Sequence, residues 1–488
     1  MPSEGEQAGG CELPVTTMMG PISCGAELGV IHFTAKSGVR TREVLMAVDQ
    51  QEVPGSVPTD VSGARDVPVR RRAWIVVAVL VCLMLVNYAD KVVVGLAGVG
   101  MKRELGLDNA QFGVIQSSFF WLFAAGCILG GWLGGKVKAR WLLAGTAAVW
   151  ALSLVPMTAQ VGFTGVVICR VLLGFAEGPT SALAMQVAHS WFPARRRAIP
   201  SSIVVAGAGI GPVIANPVLT AVITRYSWHA AFGVLSVFGL AVAALWLVWG
   251  RSGPEAASAG HGTGKAESRS ALPERVPLGR LFRTGTLIGT SLLFFVAYAC
   301  TAVKVSWLPL YLQEGLGYDA ETAGNLASLP YIGAVVSVLL VGVISTGMTR
   351  RGISNRITRG LLPAALVLVA GLCSIGMSML DRGAPQMVMI ILGASLNSAG
   401  YGVAFAGIAD VAPAGQRGMV LGIITAIYSL GGVVAPLALG KLVASGGSVA
   451  IGYGDGFMTL GVTMITGAVA ALLLINPERD MARLAAGA

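Results

Sequence analysis

Residues 73–98 read AWIVVAVLVCLMLVNYADKVVVGLAG, an apolar run that is interrupted towards its end by Asp90 and Lys91. As a helix, this run is long enough to cross the roughly 30 Å of hydrocarbon in a bilayer, which takes about 20 residues. The whole chain is 55% hydrophobic and only 12% charged. Soluble domains are roughly 25% charged, so the composition excludes a water-soluble protein and predicts a membrane protein.

Apolar runs of similar length recur along most of the chain. Six lie before residue 251 and six after residue 283, with a stretch rich in Gly, Ser and charged residues between them. The predicted transmembrane helices are 73–98, 111–134, 141–160, 162–188, 198–224, 229–250, 284–313, 321–346, 357–380, 385–411, 418–444 and 452–476.

The two sets of six helices resemble each other. A shift of 220 residues places Arg197 on Arg417 and Gly211 on Gly431, each pair belonging to a basic loop followed by a Gly-rich helix. Small residues let helices pack closely in lipid, and a duplicated six-helix unit is a common transporter architecture. We therefore predict an all-α polytopic membrane protein with twelve transmembrane helices in two pseudo-repeated six-helix bundles. Chance similarity between two helices rich in Gly, Ala and Val is the alternative.

The distribution of basic residues indicates the orientation. Eleven Lys or Arg residues lie in the short loops on one side and five on the other, and the richer side faces the cytoplasm. We predict a multi-pass protein of the cell inner (plasma) membrane with both termini cytoplasmic. Its predicted segments are a disordered tail at 1–70, a six-helix bundle at 71–250, a cytoplasmic linker at 251–283, a second bundle at 284–476 and a cytoplasmic tail at 477–488.

Other classes of function find no support in the residues. The formal net charge of +10 comes largely from short basic clusters beside the apolar runs, which membrane topology explains without a nucleic-acid partner. The seven cysteines lack metal-ligand spacing, and neither a nucleotide-binding loop nor a Ser/His/Asp arrangement is present. We therefore expect neither an enzyme nor a bound cofactor or metal.

Five ionisable residues lie well inside the apolar runs: Asp90, Lys91, Arg170, Glu177 and Lys304. Each costs at least about 2.5–3.5 kcal/mol if it is left unpaired in hydrocarbon, so all should face the bundle interior or a wet cavity. Arg170 and Glu177 are two helical turns apart on one face, about 10 Å along the axis. Asp90 and Lys91 point about 100° apart, so each needs its own partner.

Two of these charged segments resemble a known family. Residues 87–91, NYADK, resemble the Tyr-x-Asp-Arg motif of the anion:cation symporter branch of the major facilitator superfamily. Residues 170–179, RVLLGFAEGP, resemble the Arg-x-x-x-Gly-x-x-Glu motif of the fourth helix in that branch. SWFP at 190–193 and WLPLYL at 307–312 are also similar to it, and the resemblance spans about 73–476. Sugar-acid and hexuronate permeases belong to this branch.

The resemblance implies roles for the charged residues. In the family, carboxylates at the positions of Asp90 and Glu177 take up protons, and cations at the positions of Lys91 and Arg170 belong to the anion pathway. The implied function is secondary active transport, with proton-coupled uptake of a small organic anion by alternating access and sodium as the alternative coupling ion. The implied partners are that anion, the proton and the lipid bilayer, for a functional monomer without a cofactor.

Further candidate substrate-binding residues are Tyr88, Lys304, Asn397 and Tyr401. Lys304 lies outside the family motifs, in the seventh helix, which lines the cavity in this fold. A third cation against two acids favours a substrate with two negative groups, such as a dicarboxylate. The alternatives are that the Lys304 ammonium reaches an interface, or that it pairs with one of the two acids.

The substrate class is also indicated by residues that depart from the family. Where sugar-acid carriers place polar residues that bind hydroxyls, approximate alignment puts Phe123, Ala208, Phe405 and Thr425. Fewer hydroxyl-binding groups favour a less hydroxylated acid, either aromatic or short-chain. The alternative is that the two phenylalanines are ordinary packing residues.

The chief rival function is a proton-coupled antiporter that exports drugs or metabolites. Residues 207–212, GAGIGP, partly match the Gly-x-x-x-Gly-Pro signature of such exporters. Three cations in the pathway disfavour cationic cargo electrostatically. A membrane sensor without transport, and a permanent charge network that only locks helices 1 and 4 together, are further alternatives.

Overall fold

The structure is a computed structural model that describes residues 66–134, 136–192, 196–253, 276–413 and 416–486. The predicted N-terminal tail up to residue 65 and the linker residues 254–275 lie outside the described residues. Every regular element in the described ranges is a helix. Twelve of the helical segments there are long and apolar enough to cross a bilayer, so the predicted all-α architecture of twelve spans is confirmed.

The first half of the chain supplies six spans, of which the second and the fourth are interrupted. Its helices are α1 (Asp66–Leu105), α2 (Asn109–Trp121), α3 (Phe123–Gly134), α4 (Ala139–Leu154), α5 (Phe163–Glu177), α6 (Thr180–Trp191), α7 (Ala198–Arg225) and α8 (Trp228–Trp249). The second half supplies α9 (Leu278–Leu281), α10 (Gly285–Leu310), α11 (Ala320–Leu326), α12 (Leu329–Arg350), α13 (Leu362–Met379), α14 (Ala384–Val411), α15 (Arg417–Ser445), α16 (Val449–Leu474) and α17 (Pro477–Ala486).

The interruption of the fourth span places a candidate residue at a helix end. Glu177 is the last residue of α5, and the break falls at Gly178 and Pro179. Proline has no backbone N–H to donate, and its ring crowds the preceding turn of a helix. Transporters commonly place binding groups where a spanning helix is interrupted near the middle of the membrane.

The internal repeat predicted from the sequence reappears in side-chain contacts. Arg197 Nε donates to the carbonyl oxygen five residues before it at 3.0 Å, and Arg417 Nε does the same at 3.2 Å. Gly211 of α7 packs against α1, and its counterpart Gly431 of α15 packs against α10. In both halves the fifth spanning helix therefore packs on the first through the same glycine, as a duplicated six-helix bundle requires.

The two halves meet closely at one end of the molecule. This end carries the connections 106–108, 226–227, 316–319 and 446–448, and the charge distribution predicts that it faces outside; we call it the predicted outer end. There α1 contacts α10, α2 contacts α15, and α7 contacts α11. A Cβ atom on Gly95 would lie 2.8 Å from the carbonyl oxygen of Ser306, and one on Gly113 would lie 2.9 Å from that of Pro436. Glycine is therefore needed for these close approaches.

Polar contacts join the halves in the same region. Lys102 at the end of α1 forms an ion pair of 2.8 Å with Glu314, which follows α10. Gln116 of α2 donates to the carbonyl oxygen of Ser306 at 3.0 Å. Nearer the middle of the spans, Ser328 donates to the carbonyl oxygen of Val213 at 3.5 Å. That carbonyl lies four residues before Pro217 of α7, so it has no helical N–H partner.

The C-terminal segment predicted as a cytoplasmic tail is an ordered helix. Asp480 of α17 is buried and accepts hydrogen bonds of 2.7 Å from both the backbone N–H and the hydroxyl of Thr286 at the start of α10. Leu484, one turn further on, is buried beside Val276 and Leu281. The segment 477–486 therefore belongs to the second bundle as a docked helix, which its charged sequence did not indicate.

Candidate functional site

The structure brings the four charged residues of the first half into one region. Asp90 and Lys91 lie on α1, and Arg170 and Glu177 lie on α5. Asp90, Arg170 and Glu177 are almost completely buried, while the side chain of Lys91 keeps 15% of its surface exposed. All four face the interior, as the cost of a charge in hydrocarbon predicts.

Lys91 and Glu177 form a direct ion pair between α1 and α5. The Lys91 ammonium also donates to the side-chain oxygen of Asn87 at 2.7 Å and lies 4.6 Å from the centre of the Tyr88 ring. Lys91 is thus held by the motif NYADK itself and by the fourth span.

Asp90 has a different partner. One carboxylate oxygen accepts a hydrogen bond from the indole N–H of Trp150 on α4, and the other has no hydrogen-bond partner. The structure gives Asp90 no ion pair with Lys91 or Arg170. The expectation that the two adjacent charges need separate partners is confirmed.

Arg170 is a buried cation without a carboxylate ligand. Its Nε and Nη1 atoms have no hydrogen-bond partner, and its guanidinium lies 4.8 Å from the centre of the Phe119 ring. The Lys91 ammonium lies 5.6 Å from the same ring, so Phe119 is flanked by two cations. An arginine with free N–H groups can bind a carboxylate through two parallel hydrogen bonds.

Glycines bring the second and fourth spans together and so set the position of these charges. A Cβ atom on Gly174 would lie 1.7 Å from the carbonyl oxygen of Phe119, and one on Gly126 would lie 2.1 Å from that of Phe175. Only glycine allows this approach of α5 to α2 and α3. Gly174, the glycine of the motif Arg-x-x-x-Gly-x-x-Glu, therefore allows the helix that carries Arg170 and Glu177 to lie close to Phe119.

Lys304 lies apart from these four residues, in the second half. It is 9% exposed, and its ammonium lies 4.6 Å from the centre of the Tyr331 ring. The structure gives it no ion pair, so the alternative of pairing with Asp90 or Glu177 is wrong. Because its side chain is buried inside the bundle, the alternative that its ammonium reaches an interface is also wrong. It lines a cavity of about 40 Å³ within the second bundle.

Of the two remaining predicted substrate residues, Asn397 and Tyr401, the structure describes the side chain of Asn397 alone. Asn397 donates to the carbonyl oxygen of Ala297 at 2.9 Å and to the hydroxyl of Thr301 at 3.1 Å, which ties α14 to α10. Its own side-chain oxygen is buried without a partner, so one polar group remains available. The side chain of Tyr401 lies outside the described residues.

The aromatic residues that suggested a less hydroxylated substrate pack with other aromatic rings. Phe123 lies 5.8 Å from Phe119, and Phe405 lies 4.5 Å from Phe294, measured between ring centres. Both rings are partly exposed rather than fully buried. Packing therefore accounts for part of each ring and leaves the rest accessible.

The exporter-like motif GAGIGP has a packing role in this structure. A Cβ atom on Gly207 would lie 3.1 Å from the carbonyl oxygen of Val81, and one on Gly211 would lie 2.6 Å from that of Leu85. These glycines let α7 approach α1, which carries Asp90 and Lys91. The motif is thus explained without drug export.

Sequence reasoning missed several partners of the charged residues. Asn87 could have been found, because it precedes Lys91 by one helical turn on the same face. Trp150 and Phe119 contact the charges from other spans, and no sequence spacing links them to Asp90 or Arg170. Tyr331 likewise reaches Lys304 from a neighbouring helix.

Comparisons with known proteins agree with this architecture. The Major Facilitator Superfamily profile matches residues 79–409. The chain is similar to a probable galactarate/D-glucarate transporter of Bacillus subtilis, with 24% identity over 83% of this chain and 92% of that protein. It is also similar to a probable sulfoacetate transporter of Cupriavidus necator, with 28% identity over 82% of this chain and 93% of that one.

Solved structures show the same fold. A bacterial homologue of the human lysosomal transporter Spinster matches with a TM-score of 0.67 and 17% identity, covering 86% of this chain and 99% of that one. The D-xylose-proton symporter matches with a TM-score of 0.66 and 16% identity, covering 83% and 99%. Since the family profile covers more than half of its length, the chain belongs to the Major Facilitator Superfamily and is a multi-pass membrane transporter, not an enzyme.

Proposed function

We propose that this protein is a symporter that takes up a small organic anion together with protons by alternating access. The observation that carries the proposal is the buried set around Phe119. It contains an ion pair between Lys91 and Glu177, an arginine without a carboxylate ligand, and a carboxylate without a cation. A permanent structural lock would pair all four charges, whereas this set leaves Arg170 with N–H groups for a ligand.

The names of the relatives support an anionic substrate. Galactarate, D-glucarate, sulfoacetate, hexuronate and galactonate appear in the names of similar transporters, and each is an organic anion at neutral pH. Those substrates belong to the relatives, which are 24–28% identical to this chain. The shared chemistry supports a carboxylate or similar acid as the class of substrate here.

Charge balance gives the coupling a physical basis. With both acids ionised, Asp90 and Glu177 offset Lys91 and Arg170, and the set is neutral. Protonation of Glu177 releases the Lys91 ammonium, and protonation of Asp90 removes the second negative charge. The site then carries two uncompensated cations in a region of low dielectric, where an anion is bound strongly. Loss of the protons on the inner side restores the Lys91–Glu177 pair and expels the anion.

The proton suits this site better than sodium. Hard cations are bound by clusters of oxygen ligands. Here one oxygen of Asp90 already accepts from the Trp150 indole, and Glu177 is engaged by the Lys91 ammonium. Only one oxygen of each acid, Asp90 Oδ1 and Glu177 Oε1, is left without a partner, and two oxygens are fewer than a hard cation takes. We therefore assign coupling to protons on Asp90 and Glu177.

The conformation fits the end of an uptake cycle. The halves are in close contact at the predicted outer end, and the Lys91–Glu177 pair is formed. In the proposed cycle these two features belong together after release of substrate and protons to the inside. The same proposal assigns Tyr88, Lys91, Arg170, Lys304, Asn397 and Tyr401 to the substrate pathway of a functional monomer in the inner membrane, with both termini cytoplasmic.

Proton flux in proteoliposomes tests the function. Purified protein is reconstituted with a pH dye in the lumen and is challenged with a panel of organic acids. Acidification triggered by one class of acid, and absent from empty vesicles, is the expected result. Silence with every acid, but alkalinisation on addition of lipophilic drugs, would favour the antiporter instead. Binding of an acid without any flux would favour a sensor.

Alternating access predicts that the ion pair at the predicted outer end helps to close it. In Lys102→Glu, repulsion from Glu314 should open that end, because the pair joins α1 to the segment after α10. Thr220 is 5% exposed at the same seam and lies against Gly324, so Thr220→Cys is a suitable reporter. A partly exposed pair of this kind is worth up to about 1 kcal/mol, so thiol labelling from outside should become about two- to fivefold faster.

The charge-reversed double variant Lys102→Glu/Glu314→Lys is the control for this prediction. It restores an ion pair of opposite polarity and should return labelling of Thr220→Cys to its original rate. The background without Thr220→Cys corrects for labelling of the native cysteines. Equal labelling rates of Thr220→Cys alone, with Lys102→Glu and with the charge-reversed pair would mean that the ion pair does not hold the outer end closed.

A further inference from the structure

Lys304 is a buried cation for which the described residues supply no counter-charge. It lies in the last third of α10, 9% exposed, and the structure gives its side chain neither a hydrogen bond nor an ion pair. The Tyr331 ring faces its ammonium at 4.6 Å. The hydroxyl of that ring is buried and also has no hydrogen-bond partner.

The cavity beside Lys304 belongs entirely to the second half of the molecule. Its walls come from α10, α13, α14 and α16 and are mostly apolar, with Met377, Met389 and Phe457 among them. Ser374 is a polar exception, but its hydroxyl already donates to the carbonyl oxygen of Phe457 at 2.9 Å. The cavity is small, with a volume of about 40 Å³.

An unpaired ammonium in such surroundings is unfavourable unless a ligand brings the opposite charge. We propose that Lys304 and its cavity form a subsite for the second negative group of a dianionic substrate. The inference rests on the proposed anion symport and specifies its substrate: a short, weakly hydroxylated acid with a carboxylate or sulfonate at each end. The apolar walls offer too few polar groups to satisfy a chain of hydroxyls.

The two anion-binding regions lie in different halves of the transporter. Lys91 and Arg170 belong to the first bundle, and Lys304 belongs to the second. A dianion that places one negative group at each of these two regions therefore draws the halves together around itself. A monoanion held by the first bundle alone lacks this second contact. Since a ligand favours a conformation by its differential contacts, the dianion promotes closure around the substrate more effectively.

Transport of matched acids by Lys304→Gln tests the subsite. Sulfoacetate and succinate serve as dianions, and glycolate and butyrate serve as monoanions, in vesicles containing wild type or variant. Lys304→Gln should raise the KM for dianions at least about tenfold, because it removes one partner of a buried charge contact. Any monoanion transport should change less than about twofold. Lys441→Gln removes an exposed lysine at the end of α15 and should change neither.

A second variant keeps the charge and fills the space. Ala394 lines the cavity, so Ala394→Leu should block it and also raise the KM for dianions selectively. If Lys304→Gln does not fold, Ala394→Leu alone tests whether the cavity binds the second negative group of a dianion. Unchanged dianion transport in the folded variants, or a wild type that carries monoanions alone, would overturn the subsite while leaving anion symport intact.

Two other outcomes separate the subsite from its alternatives. If wild type carries no organic anion at all, the proposed function itself fails. If transport depends on chloride, and Lys304→Gln removes that dependence without changing the preference between dianions and monoanions, the cavity holds an inorganic anion and the subsite is refuted.

Discussion

Glu177→Gln is expected to abolish substrate-driven acidification of the vesicle lumen while leaving anion exchange intact. Glutamine has the shape of the protonated acid but cannot release a proton. Lys91 loses its ion-pair partner and keeps Asn87, so the ammonium stays in place and available to an anion. Net uptake driven by a pH gradient should fall to the level of empty vesicles. Exchange of labelled for unlabelled substrate, which needs no net proton movement, should persist.

The pH dependence of substrate binding gives a second measurement of the same effect. In the wild type, protonation of Glu177 frees Lys91, so the affinity for the anion should rise as the pH is lowered. In Glu177→Gln the ammonium is free at every pH, so this part of the dependence should vanish. Binding measured by calorimetry over a range of pH reports the difference without transport.

Asp90→Asn should show the same loss of acidification through a different contact. The asparagine cannot carry the proton, and its side-chain oxygen can still accept from Trp150. Glu321→Gln is the matched control, because Glu321 is exposed at the start of α11 and should behave as wild type. If either variant at a buried acid acidified the lumen like wild type, that acid would be part of a structural lock and not a proton site.

The architecture was predictable because each of its determinants is local. The run at 73–98 reveals its length and polarity directly, and the matched pair Gly211 and Gly431 reveals the duplication. The cost of charge in lipid then identifies Asp90 and Glu177 as interior residues without any knowledge of the packing. The spans, the duplication and the interior position of the two acids could therefore be predicted without knowing how the helices pack.

The arrangement of the site could not be predicted to the same depth, because it depends on contacts between distant spans. Trp150 reaches Asp90 from 60 residues away, and a spacing rule has no access to such a pair. The sequence left three alternatives for Lys304, and only packing separates them. The docking of α17 depends on Asp480 meeting Thr286 across 194 residues, whereas its composition indicated a tail.

Arg170→Gln is expected to remove transport almost completely. The guanidinium lies against Phe119, and its Nε and Nη1 nitrogens have no hydrogen-bond partner, so a carboxylate placed beside it would receive charge-assisted hydrogen bonds. Loss of one partner from a buried charge contact costs about 2–5 kcal/mol, or roughly 30- to 5,000-fold in affinity. Uptake and calorimetric binding should both fall, because the anion loses its main bidentate ligand.

Arg170→Lys separates charge from geometry at this position. Lysine keeps the positive charge but offers a compact ammonium in place of the planar fork, and its side chain has no flat face to lie on the Phe119 ring. Loss of one charge-assisted hydrogen bond is worth about 1.5–3 kcal/mol, so binding should weaken roughly 10- to 150-fold and remain measurable. For Arg170→Gln, the variant Arg225→Gln at an exposed helix end controls for the loss of a positive charge alone. A folded Arg170→Lys with wild-type affinity would assign Arg170 to the general field of the cavity, because a residue that binds the substrate through its fork cannot be replaced by a point charge without loss.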